Sequence, residues 1–193
     1  CEYINNPKRF LLMLGAITRT YTKSTVKDPK METLTPFVLN KSGRLETMDE
    51  HIVRAKLWQK FAPSPMIAYE YHFWRHQYRD PGTMTFARRV YEDTLSHRVM
   101  ETCGCMQDGT PKSFWPNGFA EYIYAETLIN RDVDYDQALA DYYAALYGNE
   151  WQQVVGYLKR ISEAFSFQYM EGELTWSETE VERFLKEVIV AFI

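Results

Sequence analysis

The chain has 193 residues, 46% of them hydrophobic and 25% charged, a balance that excludes disordered, collagen-like and coiled-coil chains and points to about one globular domain. Its 22 Lys and Arg against 26 Asp and Glu leave a net charge of −4, which argues against a dominant nucleic-acid surface. Aromatic residues reach 16%, enough either for a large core or for an aromatic-lined site that takes a flat or sugar-like ligand.

The first element in chain order is residues 10–17, a continuous apolar run with the pattern of a strand buried on both faces. Residues 18–30 are polar and read as a long loop. Residues 31–40 make a weaker strand, because Pro36 removes a ladder donor, and Lys41 to Arg44 turn. A helix is predicted over 46–61, with Thr47 or Asp49 as N-cap and Ile52, Ala55, Leu57, Trp58 and Phe61 on its apolar side. Residues 66–73 form the next strand. A helix opened by Thr83 or Thr85 runs to about His97, and residues 99–106 form a further strand. Past a loop over 107–115 the pattern is helical throughout: 118–130, 134–147 with Asp134 and Gln137 in capping-box spacing, 150–169, and a last helix opened by Ser177 and Glu180. Tyr124, Leu128, Tyr142, Tyr143, Leu146 and Trp151 are the expected core of that helical region.

Strand–helix alternation of this length implies crossover connections and a parallel α/β sheet. The strands are too few for a whole eight-stranded barrel, which leaves half a barrel or a small open sheet. The chain lacks an initial Met, and residues 181–193 end inside an apolar helical pattern without a cap, so it reads as a piece of something longer. No apolar run reaches the ~18 residues of a membrane helix and no leader pattern opens the chain; no membrane partner is expected and the compartment stays open. Three cysteines make no disulfide scaffold, and Cys103 and Cys105 read as buried thiols.

In a parallel sheet, function gathers where the strands end and the loops leave. At the end of the strand over 66–73, period two places Ala68, Glu70, His72 and Trp74 on one face and Tyr69, Tyr71 and Phe73 on the other. An acid, an imidazole and an indole beyond a small residue suit a barrel interior opening into a pocket. His72 and His76 straddle a strand end, where their spacing does not converge, so no metal is expected. Arg75 and Arg79 read as solvated charges or as a site for an anionic group such as a uronate. The following strand carries Glu101 and Asp108, and Trp115 and Asn117 come after it. Sugars stack on aromatic faces and glycosidic cleavage uses paired carboxyl groups, so acid plus aromatic points to carbohydrate. The catalytic candidates are Glu70, Glu101 and Asp108. The substrate-binding candidates are Tyr69, Glu70, His72, Trp74, Trp115 and Asn117, with no cofactor. Glu70 is expected to face the ligand and to bind rather than to catalyse.

Three motifs occur in order: Tyr69-Glu70-Tyr71 closing an apolar strand, Tyr124-Ala-x-x-Leu128-x-Asn130 followed by Asp134, and Tyr142-Tyr143-x-x-x-Tyr147-Gly148. Together they resemble, over roughly residues 10–160, the C-terminal half of the bacterial proteins called domain of unknown function family 4838. Those proteins look like glycoside hydrolases with an alpha-glucuronidase-like N-terminal domain, a (β/α)8 barrel and a helical C-terminal region. The resemblance implies an α/β fold in which residues 1–116 are the C-terminal half of a TIM-like barrel with about four parallel strands and residues 117–193 a helical region. It implies the C-terminal part of a glycoside hydrolase-like carbohydrate-active protein, whose partners are a carbohydrate and the missing N-terminal half. The alternative is a non-catalytic carbohydrate-binding or protein-interaction domain.

Overall fold

Three short parallel strands organise the molecule. β1 (Leu12–Gly15), β2 (Met66–Glu70) and β3 (Gly104–Gln107) lie side by side in sequence order, with Leu14 paired to Ala68 and Ala68 to Cys105. The computed structural model describes residues 4–24, 27–36, 38–39, 46–109 and 118–189. The predicted turn at Lys41 to Arg44 lies outside that set.

α1 (Met48–Phe61) connects β1 to β2. Its start is a capping box: the Thr47 side chain accepts from Glu50 N, and the Glu50 carboxylate accepts from Thr47 N at 2.9 Å. Met48, Ile52 and Ala55 then pack on Leu14 and Met66. The predicted apolar side was drawn too wide, because Trp58 and Phe61 are exposed. α2 (Met84–Val99) connects β2 to β3. Neither threonine caps it through its side chain; Asp80 does so from further upstream, accepting from Phe86 N at 2.8 Å. Just before it, a Cβ on Gly82 would lie 2.2 Å from the Leu158 carbonyl oxygen, so only glycine lets the later helix cross here.

The expected half of a (β/α)8 barrel with about four parallel strands does not form. Among the described residues the chain makes a three-stranded sheet in a mostly helical fold. The weak strand proposed over 31–40 is the missing one: Met31–Thr33 is a 3-10 turn and Pro36 follows it. Among its described residues that stretch makes no β pairing; the isolated bridge between Arg19 and Glu46 joins the segments on either side of it. The strand predicted over 99–106 is also shorter and later, since α2 continues through Val99.

The remaining helices are α3 (Phe119–Ile129), α4 (Tyr135–Tyr147), α5 (Trp151–Phe165), the single turn α6 (Phe167–Met170) and α7 (Glu178–Phe184), which runs into a π turn over Leu185–Ile189. Asp134 caps α4 and Ser177 with Glu180 caps α7, as their spacing predicts. The helix predicted over 150–169 is broken at Ser166, whose φ of 43° is left-handed. Phe73, Phe86 and Val90 share one buried cluster with Phe119, Ile123, Leu139 and Tyr143, so the segments on either side of residue 116 have a common core. Tyr143 sits in it as expected, whereas Leu128 and Leu146 are 43% and 47% exposed and lie outside it.

Among the described residues one face of the sheet is buried and the other is partly exposed. Leu14, Met66, Ala68 and Glu70 point into that buried side. The alternate residues Met13, Ile67, Tyr69 and Met106 line the other, where Met13 and Met106 are about half exposed. Among the described residues no helix is long and apolar enough to cross a membrane.

Candidate functional site

Glu70 closes β2 on the helix-covered face. An ionised carboxylate there costs several kcal/mol unless it is paired. Its partner is Arg19, from the segment after β1: Nη2 donates to Glu70 Oε2 at 2.8 Å and to Asp93 Oδ2 of α2 at 2.7 Å, and all three side chains are fully buried. Arg19 Nη1 donates to the Thr20 carbonyl, and the Arg19–Glu46 bridge fixes the backbone from which the guanidinium reaches inward. Burial alone would lower the Arg19 pKa, but Asp93 and Glu70 outweigh it and raise it. Burial alone would raise both carboxyls. Arg19 instead holds Glu70 well below the ordinary range and, with His72, holds Asp93 below it.

The four histidines of the chain gather around this triad, and all are buried. His72 Nε2 donates to ionised Asp93 at 2.8 Å, and its Nδ1 lies against the Gln107 side-chain amide at 3.2 Å. His97 Nε2 stands 3.7 Å from Glu70 Oε1, beyond hydrogen-bond reach. His76 Nδ1 meets Glu171 Oε1 at 2.8 Å. His51 of α1 lies in the field of Glu70 and Arg19, and burial lowers its pKa. Tyr21 is the hub. Its ring stacks on His76 at 4.2 Å and lies 3.9 Å from the Arg19 guanidinium, and its hydroxyl accepts from Tyr71 N at 2.9 Å while facing Glu70 Oε2 at 3.1 Å.

The expected ligand-facing role of Glu70 and His72 is therefore corrected. Period two sorted the residues of β2 correctly, but the face it shares with Ala68 is the one the helices cover. Trp74 does not join them either: the strand ends at Glu70, a turn closes with Trp74 N on the Tyr71 carbonyl at 3.2 Å, and the indole emerges 44% exposed. Glu101 precedes β3, at the opposite edge of the sheet from Asp108, so these two acids do not form a pair. Asp108 lies past the end of β3, where its Oδ1 accepts from the Tyr69 hydroxyl at 3.1 Å, on the face away from the Glu70 side chain. Trp115 and Asn117 lie outside the described residues.

What reaches solvent at the C-terminal edge is an aromatic shelf. The Tyr69 and Tyr71 rings lie 5.2 Å apart and those of Tyr71 and Trp74 6.0 Å apart, with Arg75 over the indole at 5.2 Å. Gly109 brings the β3 exit against this turn: its φ is +80°, and a Cβ there would meet the Phe73 carbonyl oxygen at 2.5 Å. The turn so placed sets Asp108 beside Tyr69. Elsewhere, a polar cavity beside His97, lined also by Thr94, Thr102, Thr127 and Arg131, holds about 30 Å³. That is far below the ~300 Å³ of the smallest ordinary ligand pockets. Among the described residues no group of three His, Cys, Asp or Glu side chains is arranged to hold a metal ion. Burial pushes the Cys105 thiol up to about 12, which makes it a poor nucleophile.

The chain matches no protein-family model, no curated protein and no solved structure.

Sequence reasoning missed Arg19, Tyr21 and Asp93. One signal was available: an acid inside an apolar strand demands a cation. It does not say which of 22 Lys and Arg supplies it.

Proposed function

We propose that this chain binds carbohydrate through the shelf of Tyr69, Tyr71 and Trp74, with Asp108 beside it, as part of a glycoside hydrolase-like carbohydrate-active protein, and that it supplies binding groups rather than a catalytic acid. The observation that carries this reading is the shelf: three neighbouring rings and a carboxylate at the strand ends of a parallel sheet, with the indole open to solvent. Sugar C–H faces stack on aromatic rings, and a carboxylate accepts from sugar hydroxyls. The division of labour follows from charge. Glu70 is ion-paired and sealed, so it has neither access nor a pKa suited to general acid catalysis near neutral pH. The test is electrophoresis of the folded protein through gels containing soluble xylan, laminarin or pectin, alongside Trp74→Ala. Retardation of the wild type in at least one gel, lost in the variant, is the expected result. Equal migration of both proteins in all three gels refutes it.

A further inference from the structure

The shelf depends on a part of the chain about a hundred residues further on. Between α6 and α7 the turn Glu171-Gly172-Glu173 crosses back to the segment after β1, with Gly172 at φ +77°. Glu173 holds the two neighbours of Tyr21: Thr20 Oγ1 donates to its Oε1 and Thr22 Oγ1 to its Oε2, each at 2.5 Å. Glu171 holds His76, which stacks on the Tyr21 ring. The turn thus grips Tyr21 through both chain neighbours and through one ring face. Thr20, Thr22 and His76 are all buried, so without these carboxylates the two hydroxyls keep their mutual contact at 3.0 Å but lose their charged acceptor, and His76 Nδ1 loses its carboxylate partner.

Tyr21 in turn supplies the acceptor for the Tyr71 N–H, the first amide beyond the end of β2. The Tyr71 carbonyl then accepts from Trp74 N and closes the turn that presents the indole. We infer that the Glu171–Glu173 turn is a strap that positions Tyr21, and through it the backbone carrying Tyr71 and Trp74, so that its seating sets the shape of the shelf. Glu171 and Glu173 are positioning residues, since neither touches the shelf rings. The consequence for sugar binding rests on the proposed reading of the shelf; the positioning itself does not.

Coupling of this kind is reciprocal, so a ligand that orders the shelf also seats the strap. The test separates the two parts. In the full chain, hydrogen exchange of the Tyr71 amide is measured in wild type, in Glu171→Ala/Glu173→Ala, and in the conservative Glu171→Gln/Glu173→Gln, with the amides of Ile52 in α1 and Tyr143 in α4 as references. The Ala pair is expected to speed Tyr71 exchange at least tenfold with the references unchanged, and the Gln pair, which keeps acceptor oxygens, to recover most of the protection. Should the Ala pair fail to fold, Thr22→Val, which removes one strap contact, is expected to give at least a threefold increase. Unchanged Tyr71 exchange in a folded variant overturns the inference, as does a rise shared equally by the reference amides. Whichever of soluble xylan, laminarin and pectin retards the wild type should retard the Ala pair less. If none of the three retards the wild type, the sugar reading fails, and the exchange result still decides the positioning.

Discussion

Arg19→Met keeps most of the buried volume and removes the cation between Glu70 and Asp93. Both carboxylates accept from the same Nη2, at 2.8 and 2.7 Å, with no solvent exposure on any of the three side chains. Removing one partner of a buried ion pair costs about 3–5 kcal/mol, because a charge stays buried without compensation. Here two carboxylates are stranded at once, and His72, on Asp93, compensates only part of the loss. A typical domain has about 5–15 kcal/mol in total, so the variant should unfold at a much lower urea concentration at pH 7, with an unchanged denaturant slope. The pH dependence is diagnostic. In the wild type both carboxyls lie below their unfolded values, so their contribution is present above those values and is lost as pH falls through the folded ones. In the variant, burial without the cation raises them, and protonation then stabilises the folded state. The gap between the two proteins should therefore narrow as pH is lowered from 7 to about 4.5. A triple variant with Glu70→Leu and Asp93→Leu added should regain most of the loss, far from additively. A loss below about 1 kcal/mol at pH 7, or a gap that does not narrow, would refute the assignment of Arg19 as the charge that holds this core.

Wild-type stability should also fall on acidification in two stages. Burial lowers His51 and His76 from 6.5, so the unfolded chain binds more protons as pH drops through that region; Glu70 and Asp93 add a second loss below their ordinary values of 4.5 and 3.8. Asp80, which burial raises, opposes the second stage as a single group. Melting temperatures between pH 7.5 and about 2.5 measure this, and a flat or rising profile toward acid contradicts it. In the helical region, Phe119→Ala at a fully buried position should cost about 3–5 kcal/mol. Leu128→Ala, at 43% exposure, should cost less than about 1 kcal/mol; equal losses in urea unfolding would show that the core has been drawn in the wrong place.

Local structure was legible where one short-range signal decides it. Thr47, Asp134 and Ser177 cap helices because a side-chain oxygen three residues from an orphan N–H needs nothing else. β1 and β2 follow from apolar runs bounded by turns, and the alternation along β2 was correct residue by residue. The sequence by itself thus determined the main helices, two of the strands, and which residues within β2 share a face.

Only the tertiary structure decided which face is buried. Glu70 beside Ala68 is compatible with a solvent-facing mouth or with a sealed interior, and the choice turns on Arg19 arriving from 51 positions away and Asp93 from α2. A period of two is a property of the strand alone, whereas the sign of the face is set by what packs on it. Among its described residues the weak strand over 31–40 gives way to the 3-10 turn Met31–Thr33 and to Pro36, so propensity alone did not make a strand there. The shelf illustrates both halves of this. Its aromatics stand out in the sequence, but their exposure, the carboxylate beside Tyr69 and the strap behind Tyr21 exist only once segments far apart in the chain are brought together, since charge pairing and desolvation depend on distance in space and not along the chain.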